Sequence, residues 1–211
     1  MDDLLKSLQE SIFKGQAEDA VKFTRQALEK KIPAGEILEK GMISAMEKIG
    51  EEFSQGMAYI PDLLVAARAM SAGMEILRGE LVKGGVEPKG KVLLGTVFGD
   101  VHDIGKNLVK MTLEGAGFQV IDLGTDVSAD KFIDAHRQHR PDLIGLSALL
   151  STTMNHMAEI IQKVRQVDPS ARFMVGGAPI RQDFADKMKA DGYAADAPTA
   201  VKKAKEILGL G

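Results

Sequence analysis

The sequence predicts an α + α/β protein, a four-helix bundle followed by a flavodoxin-like (Rossmann-like) domain with a five-stranded parallel sheet. Three observations lead there. Apolar residues recur at helical spacing through residues 1–88; from Val92 onward short apolar runs alternate with helix-length segments; and the Gly- and Pro-rich stretch Gly84-Gly85-Val86-Glu87-Pro88-Lys89-Gly90 separates the two patterns. A chain of 211 residues, 45% apolar and 27% charged, has the composition of a soluble globular protein and the length for two domains, expected at 1–88 and 89–211.

The first stripe is Leu4, Leu5, Leu8, Ile12 and Phe13, and the second Ala17, Ala20, Val21, Thr24, Ala27 and Leu28. A third runs through Ile37, Leu38, Met42, Ala45, Met46 and Ile49, with Pro33 suited to its first turn and Gly50 to its stop. The fourth is expected to begin after Pro61 and carries Leu63, Leu64, Ala67, Met70, Met74, Leu77 and Leu81. Four amphipathic helices with short loops imply a bundle, and the methionines among the eleven that fall here read as flexible core filler. The strand candidates are Val92–Val97, Phe118–Leu123, Leu143–Leu149, Phe173–Val175 and Tyr193–Ala195. Strands separated by helices pair in parallel, and ligands of such sheets sit outside the carboxyl ends of the strands, where the strand order reverses.

Composition removes several chemistries. With no cysteine there is no disulfide framework, thiolate metal site or cysteine nucleophile, so a metal must be held by His, Asp or Glu or arrive inside an organic cofactor. The net charge of −3 divides into −4 before and +1 after Pro88, which is no footprint for nucleic acid. No apolar stretch has the length of a membrane span, and the acidic start Met1-Asp2-Asp3 is unlike a signal peptide, so a cytoplasmic location is expected.

The first strand runs into Gly99-Asp100-Val101-His102-Asp103-Ile104-Gly105, the third into Ser147-Ala148-Leu149-Leu150-Ser151-Thr152-Thr153, and the fourth into Gly176-Gly177. These segments supply an imidazole, a carboxylate two residues before it, hydroxyls, and glycines that let a large ligand approach the backbone. An imidazole binds metal only when neutral, and a carboxylate on its other nitrogen orients it; Asp100 is the candidate partner. Taken singly, Asp100 and Asp103 read as helix N-caps, Gly176-Gly177 as a turn, and Phe53 and Ile60 as bundle core. His136, His139 and His156 read as surface residues on helices.

The joint spacing reads differently. Asp100-x-His102-x-x-Gly105, 41 residues, Ser147-x-Leu149, 26 residues, then Gly176-Gly177 resembles the signature of cobalamin-binding domains that hold their corrinoid base-off. The resemblance implies that His102 is the lower cobalt ligand. It implies that Asp100 and Thr153 continue a hydrogen-bond relay, and that Asp100, Val101, His102, Asp103, Ile104, Gly105, Ser147, Leu149, Ser151, Gly176 and Gly177 line the cofactor and its nucleotide tail. Tyr193 to Ala197 looks like the loop that closes over the end of the tail. Phe53-x-x-Gly56-x-x-x-Ile60-Pro61 resembles the helical cap of methylcobalamin proteins, so Phe53 and Ile60 would shield the upper face, with Glu39 at an acidic cap position. The family frequently has Thr where this chain has Ser151, and Ser where it has Thr153; a hydroxyl is kept at both.

Covering nearly the whole chain, the resemblance is to methionine-synthase-like corrinoid proteins, and among them the stand-alone methyl carriers of anaerobic methyltransferase systems. It implies a cofactor-carrying subunit, inactive alone, that accepts a methyl group on cobalt(I) from a donor methyltransferase. As methylcobalamin, it would deliver that group to an acceptor methyltransferase for tetrahydrofolate or a thiol, with a reductive activase as third partner. Methanol, methylamines and aryl methyl ethers are the donors implied, and overall likeness points to aryl methyl ether O-demethylation. The alternatives are an adenosylcobalamin mutase subunit, which needs an open upper face where this chain has 88 further residues, and a B12-based sensor, which needs a DNA-binding domain. A phosphoreceiver domain needs an aspartate where this chain has Ser147.

Overall fold

The computed structural model describes residues 2–210. The chain forms two compact units: one runs to Pro88 and takes in Gly115–Gly117, the other comprises Lys89–Glu114 and the residues from Phe118 onward.

The first unit is helical. α1 (Asp2–Phe13) and α2 (Ala17–Glu29) follow the first two stripes. The third stripe is a composite helix: α3 (Ala34–Glu36), a π-helical stretch Ile37–Ile43, and α4 (Ser44–Ser54). The wider π turn rotates adjacent residues inward together, so that Ile37, Leu38, Gly41, Met42 and Ile43 are all buried, a result that uniform helical periodicity does not predict. Gly50 does not stop the helix. Burial of Ala45, Met46 and Ile49 outweighs the ~1 kcal/mol that a helical glycine costs, and the chain turns instead at Gly56, whose φ is +73°. α5 (Ile60–Lys83) starts one residue before Pro61, with the Tyr59 amide donating to the Asp62 carboxylate at 2.8 Å. Its Gly73 lies against Thr24 and Met42, where a Cβ would stand 3.1 and 2.9 Å from their side chains.

The second unit alternates strand and helix: β1 (Lys91–Thr96), α6 (Ile104–Gly115), β2 (Gln119–Asp122), α7 (Ala129–His139), β3 (Leu143–Ser147), α8 (Asn155–Val167), β4 (Phe173–Gly176), α9 (Gln182–Lys187), β5 (Gly192–Ala194) and α10 (Ala197–Leu208). The sheet is parallel throughout, in the order β2-β1-β3-β4-β5. The order reverses between β1 and β3, and the register places Thr96, Ser147, Gly176 and Ala194 side by side at the carboxyl edge. Leu93, Ile144, Leu146, Phe173 and Val175 join Phe132 of α7 and Met157, Ile160, Ile161 and Val164 of α8 in one core. β3 ends at Ser147 rather than Leu149, because the amides of Leu149 and Leu150 turn away from the ladder to a carboxylate described below. Among the described residues no helix is long and apolar enough to cross a membrane.

His136 is buried rather than on the surface. Phe132, Ala135 and His136 share the inward face of α7, and His136 Nε2 lies 2.9 Å from Asp168 Oδ2. His139 and His156 are partly exposed.

Candidate functional site

At the reversal point β1 leaves the sheet through Gly99, whose φ of +78° turns the chain back over the carboxyl edge. The turn buries Asp100 completely and leaves His102 about half exposed. Asp100 Oδ1 accepts from the His102 amide at 3.1 Å and lies 2.8 Å from His102 Nδ1; Oδ2 accepts from the amides of Leu149 and Leu150 at 2.8 and 3.1 Å and lies 2.9 Å from Thr153 Oγ1. Thr153 Oγ1 also lies 3.0 Å from the Leu150 carbonyl.

Burial pushes the Asp100 carboxyl up. The Leu149 amide, the His102 imidazole and amide, and the Thr153 hydroxyl outweigh it and hold the group well below the usual carboxylate range. An ionised Asp100 only accepts, so Nδ1 carries a proton, and in the neutral ring the Nε2 lone pair is left for a Lewis acid. The lowered carboxyl also makes a stability statement. Its contribution is complete above the unfolded pKa of about 3.9 and is lost as pH falls below that toward the folded value. In chemical denaturation of the cofactor-free protein, the stability gap between wild type and Asp100→Ala should therefore hold from pH 7 to 5 and narrow below about pH 4. A gap independent of pH down to acid unfolding would contradict the ionised cage.

Around this pair the structure collects most of the residues expected from sequence. Val101 and Ile104, at 72% and 81% exposure, and Leu149 are apolar side chains left in solvent at the carboxyl edge. Ser147 ends β3 beside Thr96 and Gly176, and Ser151 is exposed in the following turn. Gly105 opens α6 with nothing within 4 Å of where a Cβ would stand, whereas Gly176 and Gly177 press on backbone, the first on the Ala194 carbonyl and the second on Ala148. Asp103, the residue before α6, accepts from the Asn107 side-chain amide at 3.0 Å, a side-chain contact rather than the backbone bond of an N-cap. Tyr193 is partly buried in β5, and Ala197, buried, begins α10, which Asp196 caps through the Thr199 amide.

Three expected residues belong to the helical unit. Phe53 is half-buried in α4. Ile60, at the start of α5, is about half exposed and so is not bundle core; Tyr59, Met57, Leu64 and Val65 near it are exposed as well. Glu39 is exposed on the π-helical stretch.

Sequence reasoning missed several groups. Lys106, next to Gly105, is buried with its ammonium 2.6 Å from Asp122 Oδ1 at the end of β2. Lys106 falls on the same helical stripe as Leu113, seven residues on, and a cation there signals a buried partner. Exposed Phe98 packs edge-on against the His156 imidazole, with centroids 5.6 Å apart. Thr96 and Asp126 also bond to the turn and are taken up below. Nothing local marks either as a partner of Asp100 or His102.

One imidazole backed by a buried carboxylate, set among exposed apolar side chains and an open glycine, suits a large flat ligand whose metal takes one more ligand from the protein. Among the described residues there is no group of three or more His, Cys, Asp or Glu that could hold a bare ion. The fold and site thus define a protein that binds a metal-bearing organic cofactor at the switch of a flavodoxin-like sheet.

The chain belongs to the B12-binding corrinoid proteins: models of the B12 binding domain match residues 90–202 and 4–78. It is 38% identical over 211 residues to a corrinoid protein of Desulfitobacterium hafniense (98% of each chain). It is 38% identical over 214 residues to trimethylamine corrinoid protein 2 of Methanosarcina mazei (100% of this chain, 98% of that one). Dimethylamine corrinoid protein 2 of Methanosarcina acetivorans is 40% identical over 210 residues (98% and 97%). Among solved structures, the methanol:cobalamin methyltransferase complex MtaBC of Methanosarcina barkeri contains a chain that superposes with a TM-score of 0.88 at 29% identity (99% of this chain, 80% of that one). A cobalamin-binding protein of Desulfitobacterium hafniense does so with 0.79 at 27% (96% and 98%). The cofactor is a corrinoid, and the chain is a corrinoid protein of the kind found in methylamine and methanol methyltransferase systems.

Proposed function

We propose that this protein is a methyl carrier that holds its corrinoid base-off with His102 as the axial ligand. The observation that carries the reading is the 2.8 Å contact between His102 Nδ1 and the buried Asp100 carboxylate, which holds a ring proton on Nδ1 and leaves Nε2 as the ligating nitrogen of the neutral ring. The corrinoid, when bound, supplies a cobalt centre able to take up and give away a methyl group. The protein's part would be to present the His102 imidazole to that centre. Asp100, held ionised, would keep the imidazole oriented with its Nδ1 proton, so that Nε2 is the nitrogen able to ligate. Thr153, in contact with Asp100 Oδ2 and the Leu150 carbonyl, continues the relay.

Val101, Ile104 and Leu149 offer apolar contact to the corrin, and the open side of Gly105 admits the nucleotide tail, which continues past Ser147, Ser151, Gly176 and Gly177 toward Tyr193 and Ala197. The helical unit carries the cap candidates: exposed Ile60, half-buried Phe53 and the acidic Glu39. The partners are a donor methyltransferase, an acceptor methyltransferase and a reductive activase. Two of the relatives described above are named for methylamines and one solved complex for methanol, and for this reason we place the donor among methylamines or methanol rather than aryl methyl ethers. A mutase subunit or a sensor is less favoured, because the corrinoid proteins match this chain over its helical unit as well.

The test is anaerobic loading of the full chain with hydroxocobalamin, followed by visible spectra before and after strong reduction and addition of methyl iodide, for wild type and His102→Ala. Stoichiometric retention, reduction to cobalt(I), methylation, and an imidazole-bound spectrum present in wild type and absent from the variant are expected. Identical spectra in the two proteins would remove His102 as the ligand, and failure to methylate would remove methyl carriage.

A further inference from the structure

We propose that Asp126, on the loop between β2 and α7, is a positioning residue that clamps the His102 turn and so presets the imidazole for ligation. Its carboxylate accepts from the Gly99 amide at 2.7 Å, and its own amide donates to the Asp100 carbonyl at 2.9 Å. Two bonds to consecutive residues fix that stretch of the turn from one side. From the other, the hydroxyl of fully buried Thr96 donates to the carbonyl of His102 itself at 3.0 Å. The two grips share a frame: the Thr96 amide donates to the Gly124 carbonyl and the Val127 amide to the Thr96 carbonyl, each at 3.0 Å, so the loop carrying Asp126 is knit to the end of β1.

Asp126 makes both contacts from a left-handed backbone, φ +53°. A residue with a Cβ is disfavoured there, on the order of tenfold, and such a conformation persists only where its surroundings impose it. Aspartate tolerates it better than most residues and brings the acceptor that the Gly99 amide needs.

The function follows from ordering. A ligand on a mobile turn must be ordered each time it binds, and the bound fraction falls by the share of time the turn spends in the competent shape. The Asp100 cage fixes the tautomer of His102; the clamp fixes where the imidazole stands. The inference rests on the axial-ligand reading only for the second of the two readouts below.

The experiment compares full-length wild type with Asp126→Asn, Asp126→Gly, Asp126→Ala and Thr96→Val. The first readout is amide hydrogen exchange of residues 98–103 without corrinoid; the second is the imidazole-bound fraction after loading with methylcobalamin, from the visible spectrum. Asparagine keeps both the tolerance of φ +53° and an acceptor, and should stay within about twofold of wild type in both readouts. Glycine keeps the backbone but not the acceptor, and should exchange several-fold faster at Gly99. Alanine keeps neither; exchange should rise by on the order of tenfold or more across the turn, and the ratio of imidazole-bound to free corrinoid should fall by about as much. Thr96→Val, nearly isosteric, should move both readouts the same way by a smaller factor, and stands in if Asp126→Ala does not fold. Wild-type exchange in Asp126→Ala, or in its place Thr96→Val, would overturn the clamp, as would faster exchange with an unchanged bound fraction. Should loaded wild type show no imidazole-bound spectrum, the axial-ligand reading fails instead, and exchange alone decides whether the clamp exists.

Discussion

Alanine at Gly177 is expected to abolish stable folding of the second unit. Gly177 has φ +133°, a conformation that L side chains rarely adopt, and a Cβ built there stands 1.8 Å from the Ala148 carbonyl oxygen, inside bonding contact rather than packing distance. Both obstacles are backbone, so no rotamer change relieves them; the β3 or β4 end must shift. We expect a loss of more than ~4 kcal/mol, seen as a collapse of the denaturation midpoint. Ala148 precedes the two amides that bind Asp100, so corrinoid retention should fall with it. Gly105→Ala is the contrast. Gly105 is helical and faces open space, so alanine should leave stability unchanged or slightly higher while weakening corrinoid retention. Equal stability losses in the two variants would mean that Gly105 too is there for the fold rather than for a ligand.

Replacing Asp100 by asparagine should convert His102 to the wrong tautomer without removing it. The amide is isosteric but offers one acceptor where the carboxylate offers two. Facing its oxygen to Leu149, Leu150 and Thr153 satisfies three donors and turns its NH2 toward His102, at the loss of the bond from the His102 amide; Nδ1 must then become an acceptor and the proton moves to Nε2. The opposite orientation sets an NH2 against two backbone N–H groups, which is worse. An imidazole protonated at Nε2 cannot ligate, and the imidazole-bound fraction should drop ~10- to 100-fold, with methylation kinetics and redox potential changed more than corrinoid affinity. Unchanged spectra, potential and kinetics in Asp100→Asn would refute the tautomer argument and the relay together.

The two variants separate two uses of the same sequence motif. Glycine spacing in such a motif is readily taken as room for a ligand, yet Gly176 and Gly177 are required by the neighbouring backbone of Ala194 and Ala148. Of the motif's three glycines, Gly105 alone has open space beside it. The histidines divide in the same way. His102 has its carboxylate two residues away, close enough to be read from the chain. His136 finds Asp168 only because α7 and the turn after α8 are brought together by the fold.

Element types, their order, the parallel sheet and the Asp100–His102 pair were legible in the linear pattern, because period and local spacing record which face is buried and which residues share a turn. The interruption of the third helix by π turns was not, since Ile37, Leu38, Met42, Ala45, Met46 and Ile49 satisfy an ordinary apolar stripe equally well and Ile43 alone falls outside it. The backbone part of the cage and the clamp were also out of reach: Leu149 and Leu150 lie 49 and 50 residues from Asp100, and Asp126 lies 27 from Gly99. Thr153, 53 residues from Asp100, was reached through the family resemblance and not through any local pattern. These residues meet because the parallel register sets Thr96 beside Ser147 at the point where the strand order reverses. By itself, then, the sequence determined the two-part architecture and named the imidazole, its carboxylate and the glycines near them. Tertiary structure alone decided that the carboxylate is buried and ionised, which glycine faces open space, and which distant residues hold the turn. The physical reason is that hydrogen bonds across strand ends depend on register and backbone direction, which no local periodicity encodes.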